Sequence, residues 1–90
     1  MVQIETEYVG DLQCTAAHVP SGITLTTDAP EDNRGEGRSF SPTDLVATAL
    51  STCIATILGI QAETHGLDLE GTTVSVRKEM ASNPRRIDAL

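Results

Sequence analysis

Apolar and polar residues alternate along the first third of the chain and then change period. From Val2 to Tyr8, Val2, Ile4 and Tyr8 fall on one face and Gln3, Glu5 and Glu7 on the other, the two-residue repeat of a half-buried strand. Gly10-Asp11 turns the chain. Leu12 to His18 alternates again, with Leu12, Cys14, Ala16 and His18 on one side. Pro20-Ser21-Gly22 supplies the next turn, and Ile23 to Thr27 follows as a third, β-branched strand. Asp28 to Phe40 is polar, contains glycines and has no apolar periodicity, which predicts a functional or mobile loop.

Past Phe40 the period becomes helical. Ser41 reads as N-cap, Pro42 as N1 and Asp44 as N3, a variant of the capping box that satisfies the free amides of a helix start. The predicted helix runs from about Pro42 to His65, with Gly66 as its C′ glycine. Thr72 to Met80 returns to a strand pattern, with Val74 and Val76 inward and Ser75, Arg77 and Glu79 outward. Asn83-Pro84 turns the chain, and Ile87 to Leu90 begins another strand. The predicted class is α+β: an antiparallel meander, one long buried helix and further strands, in a single domain spanning residues 1–90 without internal repeats.

The helix is apolar nearly all round. Val46, Ala49, Leu50, Cys53, Ile57 and Ile60 form one stripe, and Thr48, Thr52, Ala55, Gly59 and Ala62 lie opposite. A small meander covers one side only, so the other must meet a second helix, a second subunit or residues after Leu90. Leu45 to Ala62 holds no charged residue and approaches the length of a short membrane span, but its Thr, Ser, Gly and Gln positions favour a buried helix of a soluble protein.

Composition narrows the functional classes. Ninety residues make one small, marginally stable domain, and Tyr8 and Phe40 are its only aromatics, so Val, Ile, Leu and Ala must build the core. A net charge of −7 and a pI near 4.5 argue against nucleic acid and anionic membranes as partners, since both call for a surplus of Lys and Arg. The N-terminus carries no signal-peptide pattern, and two distant cysteines read as free thiols in a reducing cytoplasm.

Cys53 is the residue best suited to carry chemistry. It lies about three turns into the helix, beyond the reach of the macrodipole, so a reactive thiolate there needs a cation from Arg34, Arg38 or Arg77. Spacing alone reads Cys53 as an inert core cysteine, and Cys14 on its short strand as another. A disulfide between the two is not deducible from sequence. Gly35-Glu36-Gly37 lacks the Lys and the glycine pattern of a phosphate cradle and reads as a flexible loop. His18 and His65 suit a strand end and a helix C-terminus, with too few companions for a metal.

The string SPTDLVATALSTC followed by IATIL resembles the central helix of the OsmC/Ohr family, the osmotically inducible and organic hydroperoxide resistance proteins. The HVPSG turn, the Thr27-Asp28-Ala29-Pro30 exit, the Gly-rich loop, GLDLEG after the helix and the strand containing Val74 follow that family's order over nearly the whole chain. The resemblance implies an intertwined homodimer whose central helices pack together with a reactive cysteine at the interface. Cys53 would then be the peroxidatic cysteine, attacking a small hydrophobic hydroperoxide, with Arg38 as thiolate stabiliser, a thiol as reductant and no cofactor or metal. Three features differ from the family's peroxidases: Thr43 stands where they carry a Glu, residues 2–27 contain no Arg or Lys where they carry an activating Arg, and the chain ends before the region that holds their second, resolving cysteine. The alternative is a non-catalytic OsmC-like dimer that binds an apolar ligand at its interface.

Overall fold

The computed structural model describes every residue from Met1 to Leu90. The chain divides into two units, Met1–Pro42 and Thr43–Leu90. In the first, β1 (Ile4–Gly10), β2 (Gln13–His18) and β3 (Ile23–Asp28) form an antiparallel sheet in the order β1-β2-β3. The register sets Ile4 against His18 and His18 against Ile23, then Tyr8 against Cys14 and Cys14 against Thr27. Ile4, Tyr8, Ala16, Cys14, Ile23 and Leu25 therefore share one face, while Glu5, Glu7, Thr15, Thr24 and Thr26 share the other. Gly10, Asp11 and Leu12 all take positive φ in the first turn, which is why a bulge interrupts the ladder between Tyr8 and Gly10.

The segment predicted as a flexible loop is held by its own hydrogen bonds. Glu31–Asn33 makes a 3-10 turn; the Gly35 amide donates to Pro30 O at 2.9 Å and the Gly37 amide to Ala29 O at 3.1 Å. Gly35 sits so close to Ala29 that a Cβ would fall 1.7 Å from its carbonyl oxygen. The two amides that an anion would have needed are already used. Sequence periodicity cannot register such bonds, because they are made by the backbone.

In the second unit, α1 (Pro42–Thr64) ends in a Schellman motif: the Leu67 amide reaches Ala62 O at 2.8 Å, the Gly66 amide reaches Glu63 O at 3.1 Å, and Gly66 takes φ 69°. Lys78 clips the segment after the helix back to its first turn, with Nζ 2.8 Å from Asp44 Oδ1 and 2.8 Å from Thr43 Oγ1. β4 (Glu79–Ala81) and β5 (Arg86–Ala89) form a separate two-stranded hairpin around the cis Asn83-Pro84 bond.

Two expectations need correction. The strand expected over Thr72 to Met80 is paired only from Glu79, because Glu79 opposes Ala89 and the ladder would give earlier residues partners numbered past 89. The helix is not buried by its own chain. Ala47 and Ala62 are its only buried residues, while Val46, Leu50, Ile54, Ile57, Leu58 and Ile60 remain exposed. By length and composition α1 could also cross a membrane, a test that the core helix of a soluble protein passes equally well.

Candidate functional site

The helix turns two different sides to its surroundings. Leu50, Ser51 and Ile54 form one wall of a groove of about 660 Å³ whose other wall is the stretch from Val74 to Arg77, closed by Glu79, Ala89 and Leu90. Ala55, Leu58, Gly59 and Ala62 face a smaller hollow of about 310 Å³ beside Leu67 and Leu69. The stripe of Val46, Ala49, Cys53, Ile57 and Ile60 lines neither. Successive members of that stripe are three or four residues apart, so they stack along one side of α1 with Cys53 at the middle.

Cys53 is an exposed free thiol, so the core-cysteine reading from spacing does not hold for the chain by itself. The apolar pattern shows that a helix wants cover, without showing what supplies it. Cys14 is a half-buried free thiol on the apolar sheet face.

Arg38 is the most heavily engaged cation. Its Nε lies 2.7 Å from Asp28 Oδ2 and its Nη2 3.3 Å from Asp28 Oδ1, while its own backbone amide donates to Asp28 Oδ2 at 3.0 Å. Nη1 reaches Asp11 Oδ2 at 3.1 Å, Nη2 reaches Asp11 O at 3.4 Å, and Glu36 stands 3.6 Å from Nε. The Asp28 carboxylate is wholly buried, and the hydrogen bonds from Arg38 hold its pKa below the ordinary value of 3.8. Hydrogen bonds to Asp28 and Asp11 in turn raise the Arg38 pKa further, so the guanidinium stays charged at every working pH. Asp28 also donates its amide to Phe40 O at 3.1 Å, which fixes both ends of the loop.

Asp28 was not legible as a special residue. An Asp ten positions before an Arg is a common arrangement, and only the fold shows that the carboxylate is enclosed.

Arg38 belongs to the first unit and Cys53 to the second. Within the second unit, Arg77 borders the groove beside Leu50 and Ile54, the residues flanking Cys53 in the helix, and forms no ion pair. His18 Nδ1 contacts Ser21 Oγ at 2.6 Å in the β2–β3 turn, and His65 Nδ1 contacts Gln61 O at 2.8 Å at the helix end. Both histidines therefore have local structural partners, and no three metal-binding side chains gather anywhere.

Comparison with known proteins adds the family. The family model for OsmC-like proteins matches residues 35–90, more than half of the chain. A crystal structure from Psychrobacter arcticus 273-4, provisionally described as an osmotic stress induced and detoxification response protein, superposes with a TM-score of 0.91 at 48% sequence identity. The match covers 97% of this chain and 64% of that one, so the present chain spans under two thirds of its length. No curated protein matches the sequence. The strand–helix–strand order, the helix that carries Cys53 and the family match together show that the chain belongs to the OsmC-like family.

Proposed function

We propose that the protein is a thiol-dependent peroxidase that reduces organic hydroperoxides in the cytoplasm. The observation that carries the reading is an exposed thiol at the middle of an uncovered apolar stripe, in a chain of a family with a relative described in terms of detoxification. A greasy hydroperoxide fits such a stripe, since burying its alkyl group beside Ile57 and Ala49 removes apolar surface from water. The Cys53 thiolate attacks one peroxide oxygen and the O–O bond breaks. Sulfur gives up two electrons and becomes a sulfenic acid, and the departing alkoxide takes a proton to leave as an alcohol. An external thiol then condenses with the sulfenic acid, releasing water, and a second thiol frees Cys53 as a disulfide departs.

The same stripe supports a homodimer. α1 is read here as an interface helix rather than a membrane span, with a second copy covering Val46, Ile57 and Ile60 and leaving room for the peroxide beside Ala49 and Cys53. Arg38 remains the loop cation proposed for the thiolate; to serve it, the guanidinium must exchange its exposed contact with Asp11, whose side chain is 76% accessible, while keeping Asp28. That commitment to two carboxylates favours a second reading, a non-catalytic OsmC-like dimer holding an apolar ligand. Consumption of cumene hydroperoxide with a dithiol reductant separates the two: the first reading expects turnover that Cys53→Ser abolishes, and the second expects none in either protein.

A further inference from the structure

The carboxylates gathered on the Arg38 guanidinium are not equivalent. Asp28 is wholly buried and accepts from the Arg38 amide at 3.0 Å, Nε at 2.7 Å and Nη2 at 3.3 Å, so it cannot leave without opening the loop. Glu36 is exposed and stands 3.6 Å from Nε, on the edge that Asp28 already holds. Asp11 occupies the outer corner, with Oδ2 3.1 Å from Nη1 and its carbonyl oxygen 3.4 Å from Nη2, and its side chain is exposed. Three carboxylates around one guanidinium leave the cluster negative, and an approaching thiolate gains nothing from the arginine until one of them withdraws.

The turn that carries Asp11 is strained. Asp11 and Leu12 connect β1 to β2 and both lie in the left-handed region, at φ 56° and 60°. A two-residue hairpin turn of this kind accepts Asp at its first central place and favours Gly at its second, where the Cβ of Leu12 crowds the backbone. The Leu12 amide donates to Tyr8 Oη at 3.4 Å, Leu12 O accepts from the Ala29 amide at 3.1 Å, and the remaining hold is the grip of Arg38 on Asp11. A strained turn clamped through an exposed ion pair is poised to let go.

We propose that Asp11 is a counter-ion latch on Arg38: held, it keeps the guanidinium from the Cys53 thiolate, and released with the β1–β2 turn it frees Nη1 and Nη2 for that anion. This rests on the reading of Arg38 as the thiolate's cation and adds the residue that regulates it. Asp11 touches no reacting atom; it is a positioning residue that acts through Arg38. The guanidinium stays charged and stays on Asp28 throughout, so what changes is the second anion it serves.

The rate of Cys53 alkylation by iodoacetamide, read by peptide mass on the whole protein between about pH 5 and 10, tests the latch without any peroxide turnover. Asp11→Asn is expected to move the thiol titration to lower pH and to speed alkylation at pH 7 roughly three- to tenfold. Arg38→Gln is expected to slow it, and Asp11→Asn to add nothing in that background. Glu36→Gln is expected to change little. Leu12→Gly eases the turn in its held form without altering a charge and is expected to slow alkylation roughly twofold. Circular dichroism of each variant checks folding. An effect of Asp11→Asn that persists beside Arg38→Gln, or that Glu36→Gln matches, overturns the latch, because any lost negative charge would then suffice. Slowing by Arg38→Gln with no acceleration by Asp11→Asn overturns it and leaves the role of Arg38 standing. A Cys53 indifferent to Arg38→Gln overturns the latch and that role together, and acceleration by Leu12→Gly overturns the latch even where Arg38→Gln fails to fold.

Discussion

Truncating Ile57 to alanine separates docking from folding. Ile57 lies one helical turn after Cys53 on the uncovered stripe and is 54% exposed in the chain by itself. Full burial of such a side chain is worth about 1.5–3 kcal/mol, so covering the exposed half gains roughly 1–1.5 kcal/mol in each copy. A twofold dimer contains the position twice, and the truncation forfeits about 2–3 kcal/mol of association, or roughly a 30- to 160-fold rise in dimer Kd. The isolated chain loses little, because the removed atoms are half solvated and alanine favours a helix more than isoleucine does; its stability stays within about 0.5 kcal/mol. Sedimentation equilibrium gives the Kd and urea unfolding of the dilute protein gives the stability. A Kd moved less than threefold, or a stability loss of several kcal/mol, would refute the idea that this stripe is an interface.

Other consequences follow from the loop. Asp28→Asn removes a carboxylate whose pKa is depressed by Arg38, so the unfolded chain binds more protons and the contribution is present above pH 3.8 and lost as pH falls through the lower folded value. The Tm gap between wild type and Asp28→Asn is therefore expected to be widest near neutrality and to close below pH 3.8; a gap that is constant from pH 7 to 2.5 would contradict the assigned clasp. Gly35→Ala drives a Cβ to 1.7 Å from the Ala29 carbonyl and is expected to cost about 1–3 kcal/mol in urea unfolding, whereas a loop that was merely flexible would accept it without loss.

Much of the fold was legible because its signals are local. Period-two alternation between turn residues placed all three N-terminal strands within two residues of their ends, and Pro42 and Gly66 framed the helix. What failed depended on partners distant in sequence. Val74 and Val76 alternate like a strand, yet a strand needs a neighbour, and β5 reaches only as far as Glu79. The Gly-rich loop looked mobile because the bonds from Gly35 and Gly37 to Pro30 and Ala29 leave no side-chain pattern. Cys53 looked like core for a related reason: an all-round apolar helix is a statement about cover, and the chain by itself buries only Ala47 and Ala62 of it. Arg38 was visible as a nearby basic residue, while Asp28, which holds it, was hidden by its ordinary type and spacing.

The most direct test of Cys53 is peroxide turnover with its sulfur chemistry followed in parallel. One equivalent of cumene hydroperoxide is added to the reduced protein and the intact mass is read after trapping with dimedone. The account predicts one adduct per chain on Cys53, none in Cys53→Ser, and unchanged labelling in Cys14→Ser. An unmodified Cys53 with hydroperoxide left unconsumed would contradict it.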